Sequence, residues 1–289
     1  MNRASFVGLL LAAALILGLA VAVWPHTEHP DSPLGLREPG VIRIGYAIEA
    51  PYAYLRANGD VTGESPEVAR RIVARLGIPH IEWRLAEFSE LISDLEDGRI
   101  DVIAAGLFIT PERAHRIAFS ELTFHVREGL LVNPGNPHAL HSYADAVHNR
   151  LVKIAVLSGS IEEAQLAALV RDPAQLTHVP DARTGRIAVE TGAVQGFALS
   201  LPSLRWLALQ HELGHTEIAA PFTQPDIPQG RIGYGAFAFR KDDTHLQAAW
   251  NAAQAGYVGS LEHRTLVSAF GFDDGELPGT VRTREVLAR

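Results

Sequence analysis

The chain has 289 residues, 47% hydrophobic and 20% charged, with a formal net charge of −8 and no cysteine. A chain of this length and make-up buries a sizeable core, in one large domain or two lobes. Its acidic balance disfavours a nucleic-acid partner, and the missing cysteine removes disulfides, thiol catalysis, cysteine-held metal and a lipoprotein anchor.

Residues 6–23 form an uninterrupted apolar run behind Arg3. Ala20-Val21-Ala22 fits a small-x-small cleavage pattern, so residues 1–22 are expected to be a secretory signal, with an uncleaved anchor as the alternative. Both options put the remainder outside the cytoplasm. The proline-rich residues 23–40 read as a linker, with His26 and His29 solvated in it. From Val41 the spacing predicts a strand over 41–46, a loop AIEAPYAY, and a helix capped by Ser65 with Pro66 at its first position and Gly77 as its stop. A strand over 81–84, a helix over 88–95 and a buried strand over 100–105 follow. Thr110 then caps a helix that opens on Pro111. This β-loop-α-β-α-β order predicts parallel pairing with helices on both faces. Small ligands of such sheets bind at the carboxyl ends of the strands.

A second series follows: strand 153–157, the turn Gly159-Ser160, helix 161–170, a strand near Val179, helix 184–191, strand 194–199 and helix 201–213. Residues 244–257 and 261–270 read as closing helices.

The stretch IDVIAAGLFITPERAHRIAFS at 100–120 resembles the D-x-x-x-x-G-x-x-x-T-x-E-R signature of the family 3 extracytoplasmic solute-binding proteins. The segment from IRIGY through APY and TGE-x-PE to LGI is similar to the same family, and the resemblance covers residues 41–279. It implies an α/β, two-lobed periplasmic binding protein type 2 fold. The ligand cleft would lie between lobes joined by two crossover strands, the first at Glu128–Val132 and the second at 234–241. Residues 41–127 and 236–279 would make lobe one, 128–235 lobe two and 280–289 a tail. The family implies a monomer that hands a small solute to the permease of an ABC importer in the inner membrane, with no cofactor and no catalysis.

In that family the Arg of the signature, here Arg113, holds the ligand's carboxylate, and a guanidinium does so through two parallel hydrogen bonds that Lys cannot copy. Glu49, Tyr52, Phe88 and Phe108 project from strand-end loops of lobe one, beside Gly106. Three rings and a carboxylate make a cage for a diffuse cation. In lobe two, Ser160 and Ile161 open a helix whose N-terminus suits an anion. Ser200 stands where α-amino acid binders of the family carry an Asp. With the tail FGFDDGELPG, these features are most similar to the ectoine/hydroxyectoine-binding branch. Ile48 and Ile161 are apolar where polar residues are expected, which leaves hydroxyectoine, another betaine-like solute or a drifted specificity open, and an amino-acid-binding protein of the same family is the alternative.

Two enzyme readings compete. His211-Glu212-Leu213-Gly214-His215 matches the H-E-x-x-H zinc pattern. A catalytic zinc needs a third ligand, and neither continuation that would supply one is present. An enzyme on this same fold, like the cyclohexadienyl dehydratases, would need a poised acid, and Glu49 is the candidate.

Overall fold

The computed structural model describes residues 34–210, 213–225 and 233–288. The expected signal and most of the linker lie outside them. Among the described residues no helix is long and apolar enough to cross a membrane.

The globular part opens with β1 (Val41–Tyr46), whose Ile42 and Ile44 are fully buried. The short pair β2 (Tyr54–Leu55) and β3 (Val61–Thr62) leads to α1 (Glu64–Arg75), which lays Val68, Ala69, Ile72 and Val73 on the core. That is the i, i+4 spacing of one helix face. α1 stops at Gly77, where φ is +70° and the amides of Gly77 and Ile78 donate to Ala74 and Val73. Its start differs from expectation: Gly63 occupies the cap position and no side chain caps the helix. Ser65 sits inside α1 and its hydroxyl instead accepts from the Gly106 amide at 3.2 Å, which ties α1 to the loop at the end of a neighbouring strand.

β4 (His80–Leu85), a 3-10 turn (Phe88–Glu90), α2 (Leu91–Glu96), β5 (Val102–Ile103), α3 (Pro111–Arg116) and β6 (Ile117–Phe119) complete the first passage. Then come β7 (Phe124–Val126), β8 (Glu128–Val132), α4 (Tyr143–His148), β9 (Ile154–Leu157), α5 (Ile161–Leu169), β10 (Leu176–Val179), α6 (Ala182–Glu190), β11 (Gly196–Ser200), α7 (Leu201–Ala208) and β12 (Glu217–Ile218). The chain returns through β13 (Gly233–Gly235) and β14 (Ala238–Arg240) and closes with α8 (Thr244–Gln254), α9 (Leu261–Ser268) and α10 (Thr283–Leu287).

Two five-stranded sheets result, one in each lobe, in the orders β4-β1-β5-β14-β6 and β10-β9-β11-β8-β12. In the first, β1 runs parallel to β4 and β5 while the returning β14 is antiparallel to β5 and β6. In the second, β9 runs parallel to β10 and β11, and β8 is antiparallel to β11 and β12. β8, β9 and β11 are buried along their whole length, as strands covered on both faces are.

The crossing between lobes differs in detail from expectation. β8, expected to cross, lies within the second sheet. The crossing pair is β7 with β13, antiparallel and in the register Phe124↔Gly235. A Cβ on Gly235 would meet the Phe124 ring at 1.9 Å, so only glycine permits this approach. The strand expected over 234–241 is accordingly two strands, one in the crossing and one in the first sheet. α8 then anchors the return: Trp250, fully buried, packs edge-on against Phe237 and Phe239, at 4.9 and 5.5 Å.

Candidate functional site

The lobe-one wall of the cleft is built at the carboxyl ends of β1, β4 and β5. The Thr110 hydroxyl accepts from the Arg113 amide at 3.1 Å, and Pro111 starts α3. This cap, legible in the sequence, sets Arg113 in the first turn of α3. Its guanidinium donates to the Phe108 carbonyl at 2.7 Å and, across the cleft, to the Gly159 carbonyl at 2.8 Å. It also lies 5.8 Å from the centre of the Phe88 ring. Glu49 follows β1 in a loop closed by its own backbone pairing with Ala53.

The lobe-two wall comes from β9, β11 and the helices after them. The Ser160 hydroxyl caps α5 by accepting from the Glu163 amide at 3.1 Å. This exposes the first residues of α5 to the cleft. Ser200 ends β11, and Ser203 lies in the first turn of α7. Bonds between side chains also cross the cleft: Ser203 donates to Glu49 Oε1 at 2.8 Å, and the Tyr52 hydroxyl donates to Ser200 Oγ at 3.1 Å.

Between the walls is a small cavity lined by Glu49, Phe88, Gly106, Phe108, Arg113, Ser160, Ile161, Glu162, Leu199 and Ser200. Eight of the nine residues expected at the site line it. The ninth, Tyr52, is buried behind them, packed on Phe124 and Phe272 at 5.0 and 5.5 Å. Gly106 is what lets Tyr52 sit there, since a Cβ at that glycine would meet the Tyr52 ring at 2.5 Å. Tyr52 thus supports the wall and, through Ser200, joins the lobes.

Glu162 and Leu199 were not expected to line the cavity. An acid in the first turn of a capped helix reads as a complement to the helix dipole, and nothing local signals that its side chain turns inward. A second, more open cavity adjoins the first and shares Glu49 and Phe88 with it. Ile48 lines this outer space.

The electrostatics are those of a dry site. Burial pushes Glu49 up to about 8, against the pull of the Ser203 hydroxyl, and the Glu162 charge adds to the rise. Burial likewise pushes Glu162 up to about 7, against its hydrogen bonds and the Arg113 charge. Arg113 is brought down to about 10 by burial, with Glu162, Glu112 and Glu49 acting the other way, and stays charged at neutral pH. A guanidinium, two acids and two aromatic rings around one small space can hold a ligand that carries both signs of charge.

Of the zinc-like motif, His211 and Glu212 lie outside the described residues. α7 ends at Ala208, ahead of the motif, so the helix expected to run to 213 is shorter. Among the described residues no group of three His, Cys, Asp or Glu could hold a metal ion.

Comparison with known proteins fits this geometry. A protein of Sinorhizobium fredii named as a probable amino-acid ABC transporter periplasmic-binding protein, y4tE, is 33% identical over 81% of this chain and 77% of its own. The structure of EhuB in complex with hydroxyectoine is similar with a TM-score of 0.77 and 28% identity, over 86% of this chain and 94% of that one. An ancestral arginine-binding protein bound to glutamine shares the fold, with a TM-score of 0.72 and 21% identity, over 83% of this chain and all of that one. Membrane-bound lytic murein transglycosylase F of Pectobacterium atrosepticum is 30% identical over 54% of this chain, but only 32% of that enzyme is covered. The pattern of bacterial extracellular solute-binding proteins, family 3, matches residues 42–266, and the chain belongs to that family.

Proposed function

We propose that this protein captures a small zwitterion of the ectoine and hydroxyectoine type outside the cytoplasm and delivers it to the permease of an ABC importer. The observation that carries this is the arrangement of Arg113 and Glu49 on one cavity whose wall between them includes Phe88 and Phe108. In this reading Arg113 takes the ligand carboxylate through N–H groups not given to Phe108 and Gly159. Glu49 takes the positive group, and the two rings cover its faces, each ring contributing about 0.5–2 kcal/mol once the cation is desolvated. Gly106, Ser160, Ile161 and Ser200 complete the walls, and Tyr52 backs them. The likeness to EhuB bound to hydroxyectoine supports the ligand class.

A second reading, an α-amino acid ligand, is favoured by the name of the Sinorhizobium relative. Thermal-shift and calorimetric titration with ectoine, hydroxyectoine, glycine betaine, proline betaine and the common amino acids separate the two. Saturable one-to-one binding of ectoine or hydroxyectoine is expected. Binding of an α-amino acid with no response to any betaine-like solute would replace the first reading by the second.

A further inference from the structure

Glu162 is the second residue of α5, 2% exposed, and lines the cavity. Its Oε1 has no hydrogen-bond partner. Near it is another buried acid, Glu128, whose Oε1 accepts from Gln165 at 2.8 Å and whose pKa the Glu162 charge raises further. Across the cleft stands Glu49, which also feels the Glu162 charge. The cation near both is Arg113, which already donates to the carbonyls of Phe108 and Gly159. Buried carboxylates without a partner are costly and rare. When the lobes approach, two acids meet across a dry gap; without a cation between them they either repel as charges or must take up a proton, and both oppose closure.

We propose that Glu162 is a specificity-determining residue: together with Glu49 it brackets the ligand's positive group between one carboxylate from each lobe. The cation is then what permits closure. A carboxylate ligand without a positive group leaves the two acids facing one another and is rejected. This rests on the reading of the cavity as a zwitterion site, and it adds the residue in lobe two that senses the cation.

The test compares Glu162→Gln, which keeps the shape and removes the charge, with the unaltered chain. The probes are ectoine, glycine betaine and 3,3-dimethylbutanoate, the last being glycine betaine with carbon in place of the cationic nitrogen. Calorimetry at pH 8 on the unaltered chain is expected to show binding of the zwitterions and exclusion of 3,3-dimethylbutanoate. Glu162→Gln should weaken zwitterion binding about ten-fold or more, as for loss of one partner of a buried charge pair, and should narrow the gap to 3,3-dimethylbutanoate. Glu162→Asp, which restores a charge on a shorter stem, should recover part of the preference. Unchanged zwitterion affinity in Glu162→Gln would overturn the proposal. If no zwitterion binds the unaltered chain, the reading of the cavity fails by itself, and small-angle scattering of the ligand-free proteins decides the role of Glu162. Relief of repulsion between the lobes predicts a smaller radius of gyration for Glu162→Gln than for the unaltered chain. Equal radii would overturn it.

Discussion

Asp101 and Glu162 are both almost wholly buried acids, 1% and 2% exposed, in two regions that treat them oppositely. Asp101 precedes β5 within the first sheet. It accepts from the Arg43 amide at 2.9 Å, from Arg43 Nε and Nη2 at 3.0 and 2.5 Å, and from Arg240 Nη2 at 3.2 Å. Those partners come from β1 and β14, so one carboxylate ties three strands. Glu162 faces the cleft with an oxygen that bonds to nothing. Where an acid holds the fold together its hydrogen bonds are complete within the chain. Where it faces a cleft between movable lobes, the missing partner can come from outside.

The largest expected effect tests the structural half of this contrast. Asp101→Ala leaves the partly buried Arg43 guanidinium without its counter-charge and takes from Arg240 one of its two acids, the other being Asp243, and should cost about 3 kcal/mol. At about 2–4 °C per kcal/mol for a protein of this size, the melting temperature should fall by roughly 6–12 °C. Glu162→Gln in the same calorimetric scan should melt no lower than the unaltered chain. Equal losses in the two variants would erase the distinction.

Next is Arg113→Ala, which leaves the bound carboxylate unpaired in a closed cleft. It should weaken ectoine binding by about 2–5 kcal/mol, roughly thirty-fold or more, measured by titration calorimetry. Arg113→Lys should lose a large part of the same amount, because an ammonium lacks the planar fork. An unaltered affinity in Arg113→Ala would move the carboxylate elsewhere.

The pH profile sharpens the contrast further. Glu49 and Glu128 are pushed up to about 8, and Glu64 and Glu162 to about 7, each chiefly by burial. Above the ordinary carboxylate range the unfolded chain has released these protons while the folded chain keeps them. Stability of the ligand-free protein should therefore be greatest near the ordinary carboxylate pKa and fall as pH rises through about 8. His263, brought down to about 4 by burial, acts in the opposite direction below its ordinary value. One histidine against four acids leaves the fall in place. Melting temperatures from pH 5 to 9 check this, and Glu162→Gln should flatten the slope. A profile that rises over this range would mean the cleft acids are paired after all.

The smallest effects are at the rings. Phe88→Ala and Phe108→Ala should each weaken ectoine binding by about 1–2 kcal/mol, since each removes one face of a shared cage. Phe88→Tyr should be nearly neutral by the same titration. A loss at either ring as large as that of Arg113→Ala would mean that burial, and not charge, dominates recognition.

What the sequence determined by itself was short in range. The Thr110-Pro111 cap, the Gly159-Ser160 turn into a helix and the Gly77 stop are each settled by residues a few positions apart, and all three stand in the structure. Because the first two place Arg113 and the N-terminus of α5 at strand ends, most of the cavity wall could be named in advance. The alternation of strands and helices set the parallel part of each sheet, β1 with β4 and β5 and β9 with β10 and β11, for the same reason: each crossover is a local unit; the antiparallel β6, β8, β12 and β14 came only with the tertiary structure. What only the tertiary structure decided depends on residues far apart in the chain. Ser65 became a tie to Gly106, 41 residues on, and not a cap. Tyr52 moved behind the wall because Phe124, Phe272 and Gly106 make a place for it. The crossing fell at β7 and β13 because Gly235 and Phe124 fit closely. Glu162 turned from a helix-start acid into a cavity wall only when lobe two folded against Glu49 and Arg113. Side-chain burial and missing partners are properties of the surrounding space, and residues close in sequence supply only a small part of that space.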